Sequence, residues 1–265
     1  MRILLTNDDG IDAEGLTALE RIAAKLSDDI WICAPETEQS GASRALTISM
    51  PVRVRKLDPR RFAVSGTPTD CVTLALADLV EGARPDLVLS GVNRGQNLGE
   101  DVSMSGTVAA AMMGMAMGVP AIALSQALEV FHDDRRCAYD TAEHFAPGII
   151  SRLLEAGWPR DVVMNVNFPD LPIQEVGGVE VTRQGFRDLD RVHADRRTDL
   201  RGRHYYWIGF NGRRPRLEAG TDLAAIHEGR ISVTPLHIDL THMPTVNALK
   251  GVLGGVAPKL HASQV

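Results

Sequence analysis

The chain has 265 residues, of which 44% are hydrophobic and only 5% aromatic, and it carries a net charge of −6. This length suits one large α/β domain or a domain with an appendage. The acidic balance argues against bulk nucleic-acid binding, which depends on neutralising phosphates. Three cysteines, widely spaced and odd in number, form no disulfide framework.

The longest uncharged run, residues 108–124, is interrupted by glycines and a proline and is too short to span a membrane. The leading apolar stretch ends in two acids and does not resemble a signal peptide. We therefore expect a soluble, cytoplasmic protein that binds neither nucleic acid nor membrane.

Strand and helix patterns alternate through the first two-thirds of the chain. Apolar runs predict strands at 2–7, 30–35, 86–91, 120–125 and 162–169. Helices are predicted at 14–26, 71–80, 105–118 and 139–157, the second with Thr69 as its N-cap. Continuous apolar strands are typical of a parallel sheet buried on both faces. The predicted fold class is therefore α/β and Rossmann-like, with a mostly parallel sheet flanked by helices.

Two segments depart from this alternation. Residues 45–57 followed by 60–66 predict an extended antiparallel excursion within a catalytic core of residues 1–180. Residues 181–218 carry ten arginines and lose the helical period, which predicts an irregular or hairpin arm. A helix at 221–229 and a last strand at 230–238 follow. Residues 181–265 would then form a C-terminal unit that packs on the core or on a partner subunit. The arm is either a solvated loop region or an oligomer contact, and both interpretations stay open.

Polar, glycine-rich segments follow several of the predicted strands. Because ligands of doubly wound sheets bind beyond the carboxyl ends of the strands, these segments are expected to meet at one edge. They are Asn7-Asp8-Asp9-Gly10, residues 34–43 with Ser40, residues 91–99 with Asn93 and Asn97, and Ser105-Gly106-Thr107 at the start of a helix.

Two chemistries are consistent with these segments. Carboxylate, hydroxyl and amide oxygens are ligands for Mg²⁺, Mn²⁺ or Ca²⁺, and a cation would offset the repulsion between Asp8 and Asp9. The helix N-terminus at 105–107 offers backbone N–H groups and hydroxyls for an anion. A metal beside an anion site indicates phosphoryl chemistry. Taken singly, Asp-Asp-Gly is more often a turn and Ser-Gly-Thr more often a helix cap.

Several other classes are excluded by missing motifs. No dinucleotide-binding GxGxxG follows a strand, and no P-loop, HExxH or GxSxG is present. A phospho-receiver domain needs an aspartate after its third strand and a lysine after its fifth. Here Asp86 precedes its strand, and no lysine lies between Lys56 and Lys250.

The sequence resembles the SurE survival-protein family of metal-dependent nucleoside monophosphate phosphatases. The resemblance rests on motifs in a specific order: NDDG (7–10), SGAS (40–43), GTPTDCV (66–72), SGVNRGQNLG (90–99) and SGTVAAA (105–111). It is dense over residues 1–125 and continues more loosely through VTRQ (181–184), YYW (205–207) and ISVTPLHIDLT (231–241).

The resemblance implies one divalent cation per subunit, Mg²⁺ or Mn²⁺, with Ca²⁺ as an alternative in crystals. Its implied ligands are Asp8, Asp9, Ser40 and Asn93, with Asp8 and Asp9 also catalytic. The implied phosphate site consists of Asn97, Ser105, Gly106 and Thr107. The implied substrate is a nucleoside 5′-monophosphate, with 3′-monophosphates and short polyphosphate left open, and the implied assembly is a homodimer or homotetramer built through the C-terminal arm.

Two positions depart from the family pattern. Gln96 stands where proline is usual, and loss of that rigid φ is expected to loosen the placement of Asn97. Met104 replaces a residue that is often aromatic or histidine, which is expected to alter substrate preference. A rival hypothesis from another class is a nucleotide-binding regulator that has kept the pocket but lost turnover.

Overall fold

A computed structural model describes residues 1–128, 138–186, 192–210 and 217–253. Its strands are β1 (Arg2–Thr6), β2 (Asp29–Pro35), β3 (Val54–Asp58), β4 (Arg61–Val64), β5 (Leu87–Arg94), β6 (Ala121–Gln126), β7 (Val162–Phe168), β8 (Val179–Val181), β9 (Val192–Thr198), β10 (His204–Phe210) and β11 (Ile231–His237). Its α-helices are α1 (Glu14–Ala24), α2 (Pro68–Leu74), α3 (Gly106–Ala116), α4 (Asp140–Ala156), α5 (Asp222–His227) and α6 (Met243–Leu253).

Nine strands form one sheet in the order β3-β4-β2-β1-β5-β6-β7-β11-β8. Strand pairs are parallel except β3 with β4 and β7 with β11. The predicted α/β, Rossmann-like class with a mostly parallel sheet is confirmed.

Helices cover both faces of the sheet, because apolar side chains line each face of the central strands. On one face, α1 and α4 pack through residues such as Leu16, Leu19 and Ile150. On the other face, α2 and α3 pack through Val72, Val108 and their neighbours. This double cover explains why the central strands read as continuous apolar runs.

The predicted antiparallel excursion is shorter than expected. Strand β3 begins at Val54, and residues 45–53 lie outside any strand. Pro51 lies within this segment, where a missing N–H disfavours strand pairing. Farther along, β4 pairs antiparallel with β3 but parallel with β2, which joins the excursion to the main sheet.

The N-cap of α2 is Thr67, so the prediction of Thr69 was wrong. Thr67 Oγ1 accepts from the Asp70 N–H at 3.2 Å, and Asp70 Oδ2 accepts from the Thr67 N–H at 2.9 Å. This reciprocal capping box starts the helix at Pro68, where a missing N–H costs nothing.

The C-terminal third is divided between the main sheet and a separate hairpin. Strand β11 lies between β7 and β8 in the main sheet. Strands β9 and β10 form their own two-stranded antiparallel sheet. Residues 187–191 and 211–216 of the predicted arm, residues 254–265 and Cys137 lie outside the described residues. The division of the chain at residue 180 stays a prediction. Among the described residues, no helix has the length and apolarity to cross a membrane.

Candidate active site

The segments after β1 and β5 meet where the strand order of the sheet reverses. From β1 the chain continues to β2 on one side, and β5 lies on the other side. Ligands of doubly wound sheets bind in the crevice at such a point. Asn7, Asp8 and Asp9 follow β1, and Asn93 lies near the end of β5. These four predicted residues therefore share one edge of the sheet.

Strand β5 carries an irregularity just before Asn93. Ser90 pairs with Ala123 and Asn93 pairs with Ser125, so two residues of β5 lie opposite the single Leu124 of β6. Such bulges bend a strand and redirect its side chains, and they are common beside active sites. The Asn93 Nδ2 group then donates to the Gly95 carbonyl at 2.9 Å, which orients the side-chain amide.

Asp8 is held directly against the start of α3. Its side chain is almost fully buried, and its Oδ1 accepts from Thr107 Oγ1 at 2.5 Å. A Cβ added to Gly106 would lie 2.8 Å from Asp8 Oδ2, so any side chain at 106 would displace the carboxylate. Gly106 and Thr107 therefore fix the position of Asp8 as well as the first turn of the helix.

The two aspartates resist being charged together. Burial raises the pKa of Asp8, although hydrogen bonds from Thr107 oppose the rise. Burial, followed by the charge of Asp8, raises the pKa of Asp9 to about 7. The Arg94 N–H, 3.2 Å from Asp9 Oδ2, opposes that shift. A cation beside the pair would favour the charged form of both carboxylates.

Ser40 lies on a loop that reaches Asp8 through its backbone. The Gln39 N–H donates to the Asp8 carbonyl at 2.7 Å. The Ser40 side chain is exposed, and its hydroxyl donates to Glu38 Oε1 at 2.8 Å. The structure thus brings the loop that carries Ser40 to the site. The Ser40 hydroxyl, however, is hydrogen-bonded to Glu38 in the same loop.

The donor set fits a hard divalent cation. Among the described residues, no group of three or more histidine, cysteine, aspartate or glutamate side chains is placed to hold a metal. A cation here would therefore need the two aspartates completed by neutral oxygens, which Mg²⁺ and Mn²⁺ accept. Asn7 Oδ1 supports this fit, because it is a buried acceptor without a hydrogen-bond partner among the described residues.

The predicted phosphate residues fall into two groups. Ser105 caps α3, accepting from the Val108 N–H at 3.1 Å, and Gly106 and Thr107 follow it beside Asp8. Asn97 instead contacts β6 and β7. Its Nδ2 donates to Ser125 Oγ at 2.8 Å, and its N–H donates to Asn167 Oδ1 at 2.8 Å. The hydrogen bonds that hold Asn97 are with these strands rather than with residues 105–107.

The expected loosening of Asn97 by Gln96 stays a prediction, and the structure shows which contacts hold this part of the loop. The Asn97 carbonyl accepts from Asn165 at 2.9 Å and from Asn167 at 3.2 Å, in addition to the contacts above. Gln96 Oε1 accepts from the Leu128 N–H at 3.1 Å, which ties down the neighbouring residue as well. These side-chain contacts hold the loop at the position where the family usually has proline.

Asp70 is a supporting residue that the sequence reasoning missed. Its carboxylate accepts from the Thr47 N–H at 2.9 Å and from Thr47 Oγ1 at 2.6 Å, while Thr67 Oγ1 donates to the Ala45 carbonyl. These contacts hold the far end of the Ser40 loop on α2. An acid three residues after Thr67 was the available signal, because that spacing is typical of a capping box.

A second missed contact joins two loops of the site. Ser43 has a left-handed backbone, with φ of 51°, and its hydroxyl donates to the Ser103 carbonyl at 2.8 Å. Asn165 and Asn167, the supports of Asn97, were also missed. Their alternation within an otherwise apolar strand was the signal, since two buried amides on one strand require partners.

Comparisons with known proteins find relatives that are similar over nearly the whole chain. A family model described as "Survival protein SurE" matches residues 3–191. The chain is 70% identical to the 5′-nucleotidase SurE of Caulobacter vibrioides strain NA1000, over 98% of each chain. It is 67% identical to the 5′-nucleotidase SurE of Phenylobacterium zucineum, covering 98% of this chain and all of the relative. The crystal structure of the SurE protein from Aquifex aeolicus superposes with a TM-score of 0.80 at 38% identity, covering 95% of this chain and 99% of that one.

Proposed function

This chain belongs to the SurE family, and from that premise we propose that it is a 5′-nucleotidase, a phosphoric monoester hydrolase that converts nucleoside 5′-monophosphates to nucleoside and phosphate. Relatives 53–70% identical over nearly their full length bear that name. The single observation that carries the proposal is the contact between Asp8 and the first turn of α3, which puts a buried carboxylate beside a helix N-terminus.

The proposed cofactor is one Mg²⁺ or Mn²⁺ per chain, held by Asp8, Asp9, Ser40 and Asn93. When bound, such an ion polarises the phosphoryl oxygens and lowers the pKa of water. The support for it is the all-oxygen donor set, the raised pKa of the paired aspartates and the unpartnered Asn7 Oδ1.

The chain's own residues have distinct proposed roles in hydrolysis. Asp8 orients the attacking water and accepts its proton, and Thr107 keeps that carboxylate in one orientation. As the bond between the water oxygen and phosphorus forms, the ester bond to the nucleoside oxygen breaks. The N-terminus of α3 favours the negative charge of the phosphoryl group. Ser105 and Gly106 line that end of the helix, and Asn97 orders the loop that leads to it.

The test is phosphate release from a panel of nucleoside 5′- and 3′-monophosphates and short polyphosphate. We expect release from the 5′-monophosphates with added Mg²⁺ or Mn²⁺, loss on chelation and recovery on readdition of metal. Full turnover in excess EDTA would overturn the metal proposal. Nucleotide binding without release would favour a regulator that has lost turnover. The same panel decides between the 5′ ester and the other substrates.

The proposed assembly is a homodimer or homotetramer built through the C-terminal arm, in the cytoplasm. Its support is the hairpin β9–β10, which exposes Tyr206, Trp207 and Ile208 by 58%, 61% and 75%. A two-stranded hairpin alone is marginally stable in water, so these side chains need a surface to cover them. Light scattering measures the assembly directly.

A further inference from the structure

The loop between β5 and α3 is held from the C-terminal third of the chain. This loop, residues 95–105, carries Asn97 and ends at Ser105. At its middle, the Gly99 N–H donates to Asp222 Oδ2 at 2.9 Å, and the Gly99 carbonyl accepts from Gln184 Nε2 at 2.9 Å. Both polar groups of one loop residue are therefore bound by side chains that lie at least 85 positions away in the sequence.

Asp222 joins three backbone segments through one buried carboxylate. Its Oδ1 accepts from the N–H groups of Gly185 and Leu223, each at 2.8 Å, and its Oδ2 accepts from Gly99. Asp222 is fully buried. A carboxylate is costly to bury unless its oxygens are hydrogen-bonded. The three N–H groups that donate to Asp222 offset that cost, and the carboxylate in turn holds their segments together.

The approach of these segments is close. Gly99 has φ of +56°, and a Cβ added there would lie 3.2 Å from the Gly185 carbonyl oxygen. A Cβ added to Gly185 would lie 3.0 Å from Asp222 Oδ1. The loop and the C-terminal segment thus meet with no space for a side chain between them, so a shift in one would displace the other.

Helix α5 does not require Asp222 for its own cap. Thr221 is the N-cap, and its hydroxyl accepts from the Ala224 N–H at 3.2 Å and donates to the Glu218 carbonyl at 2.7 Å. The hydrogen bond that Asp222 Oδ2 accepts comes from the Gly99 N–H. It therefore ties α5 to the loop and does not cap the helix.

We propose that Asp222 is a positioning residue for the active site: it fixes Gly99, and through Gly99 it sets the path of the loop from residue 99 to the Ser105 turn. This inference rests on the proposed function for its kinetic consequence. Asp222 is fully buried, so its proposed effect on the site runs through the loop. Gln184 assists it from the opposite side of Gly99.

Asp222→Asn tests the proposal with little change in side-chain volume. The amide keeps one acceptor for Gly185 and Leu223 but turns an N–H group toward the Gly99 N–H. A buried donor left without an acceptor disfavours this arrangement of the loop, so we expect KM for a nucleoside 5′-monophosphate to rise at least about fivefold, with a smaller change in kcat. Hydrogen exchange at the Gly99 amide should also accelerate.

Thr221→Val is the matched control, because it removes the cap of α5 while leaving the Gly99 contact intact. It should lower stability but leave KM within about twofold of wild type. Gln184→Glu is the second variant, for the case that Asp222→Asn does not fold. It removes the donor to the Gly99 carbonyl from a more exposed position, and it should shift KM in the same direction.

Two results would overturn the positioning role. One is an unchanged KM and unchanged Gly99 exchange in Asp222→Asn and Gln184→Glu. The other is an equal rise of KM in Asp222→Asn and Thr221→Val, which would indicate general destabilisation. If the wild type releases no phosphate, the proposed function fails, and the exchange rates of Gly99 in the three variants still decide the positioning role.

Discussion

The sheet edge around Asp8 buries polar side chains, whereas the hairpin β9–β10 exposes apolar ones. At the edge, Asp8, Asn97 and Thr107 are polar and at least 93% buried, and each has hydrogen-bond partners from another element. On the hairpin, Trp207 and Ile208 are apolar and exposed. Buried polar groups need fixed partners, whereas exposed apolar groups need a covering surface.

The polar groups of the edge are satisfied within one chain, whereas the apolar side chains of the hairpin are left exposed for another surface to cover. The contacts at the edge come from β6, β7, α3 and the segments that end β1, β2 and β5, all within the same chain, so substitutions there should affect activity and metal binding. The hairpin pairs with itself, so substitutions there should affect association.

Asp8→Asn should have the largest effect. It removes a carboxylate oxygen from the proposed cation site, and with it the proposed acceptor of the water proton. General-base action alone contributes about 10²–10⁴-fold, so phosphate release should fall by at least about 10³-fold. Circular dichroism should show an unchanged fold, because Asn fits the same space beside Gly106. A variant with wild-type turnover would place the chemistry elsewhere.

Thr107→Val should have the next largest effect on activity. Valine keeps the shape of threonine but removes the hydroxyl that donates to Asp8. Partners that orient a metal-binding residue are typically worth about 10–100-fold in affinity or activity, and we expect a loss in that range. Thr107→Ser is the control, since it keeps the donor. Equal losses in both variants would assign the role of Thr107 to its methyl group.

Asp70→Asn should lower the free energy of unfolding by about 1–3 kcal/mol, because one oxygen that accepts from Thr47 or Thr67 becomes a donor. Burial raises the pKa of Asp70, but hydrogen bonds from Thr47 and Thr67 outweigh it and hold that pKa below its usual value. The stability due to Asp70 is therefore present above its unfolded-state pKa and is lost as pH falls through its lower folded-state pKa.

Urea unfolding of wild type and Asp70→Asn at neutral and acidic pH measures this contribution. The difference between the two proteins should be largest at neutral pH and should shrink toward pH 3. A difference that grows on acidification would contradict the assigned direction of the pKa shift.

Replacing Tyr206 and Ile208 by serine should have the smallest effect on the fold. Both side chains are exposed, and such substitutions usually change stability by no more than about 0.5 kcal/mol. The effect should appear in light scattering as weaker self-association. Unchanged association would remove the hairpin from the interface, and a large loss of stability would show that the hairpin packs on its own core.

The positions of the first strands and of Asp8 could be predicted because their signals are local. Apolar runs identify strands, and the residue after a parallel strand lies at a known edge. Asp222 and Asn165 could not be placed in the same way, whereas the capping role of Thr67 had a local signal in Asp70, three residues later. Asp222 meets Gly99 across 123 positions, and nothing in the neighbourhood of either residue specifies the other. Helix α6 and strand β8 were not predicted, because the sequence signal used for helices and strands is a buried apolar pattern and neither element has a strong one.

We propose that the Asp8–Asp9 edge holds a divalent cation, and metal binding can be measured directly. Calorimetric titration of Mn²⁺ into the metal-free wild type and Asp8→Asn tests it without relying on turnover. The wild type should bind about one Mn²⁺ per chain, and Asp8→Asn, with its fold intact, should bind it far more weakly. Equal binding by the two proteins, or no binding by the wild type, would contradict the claim.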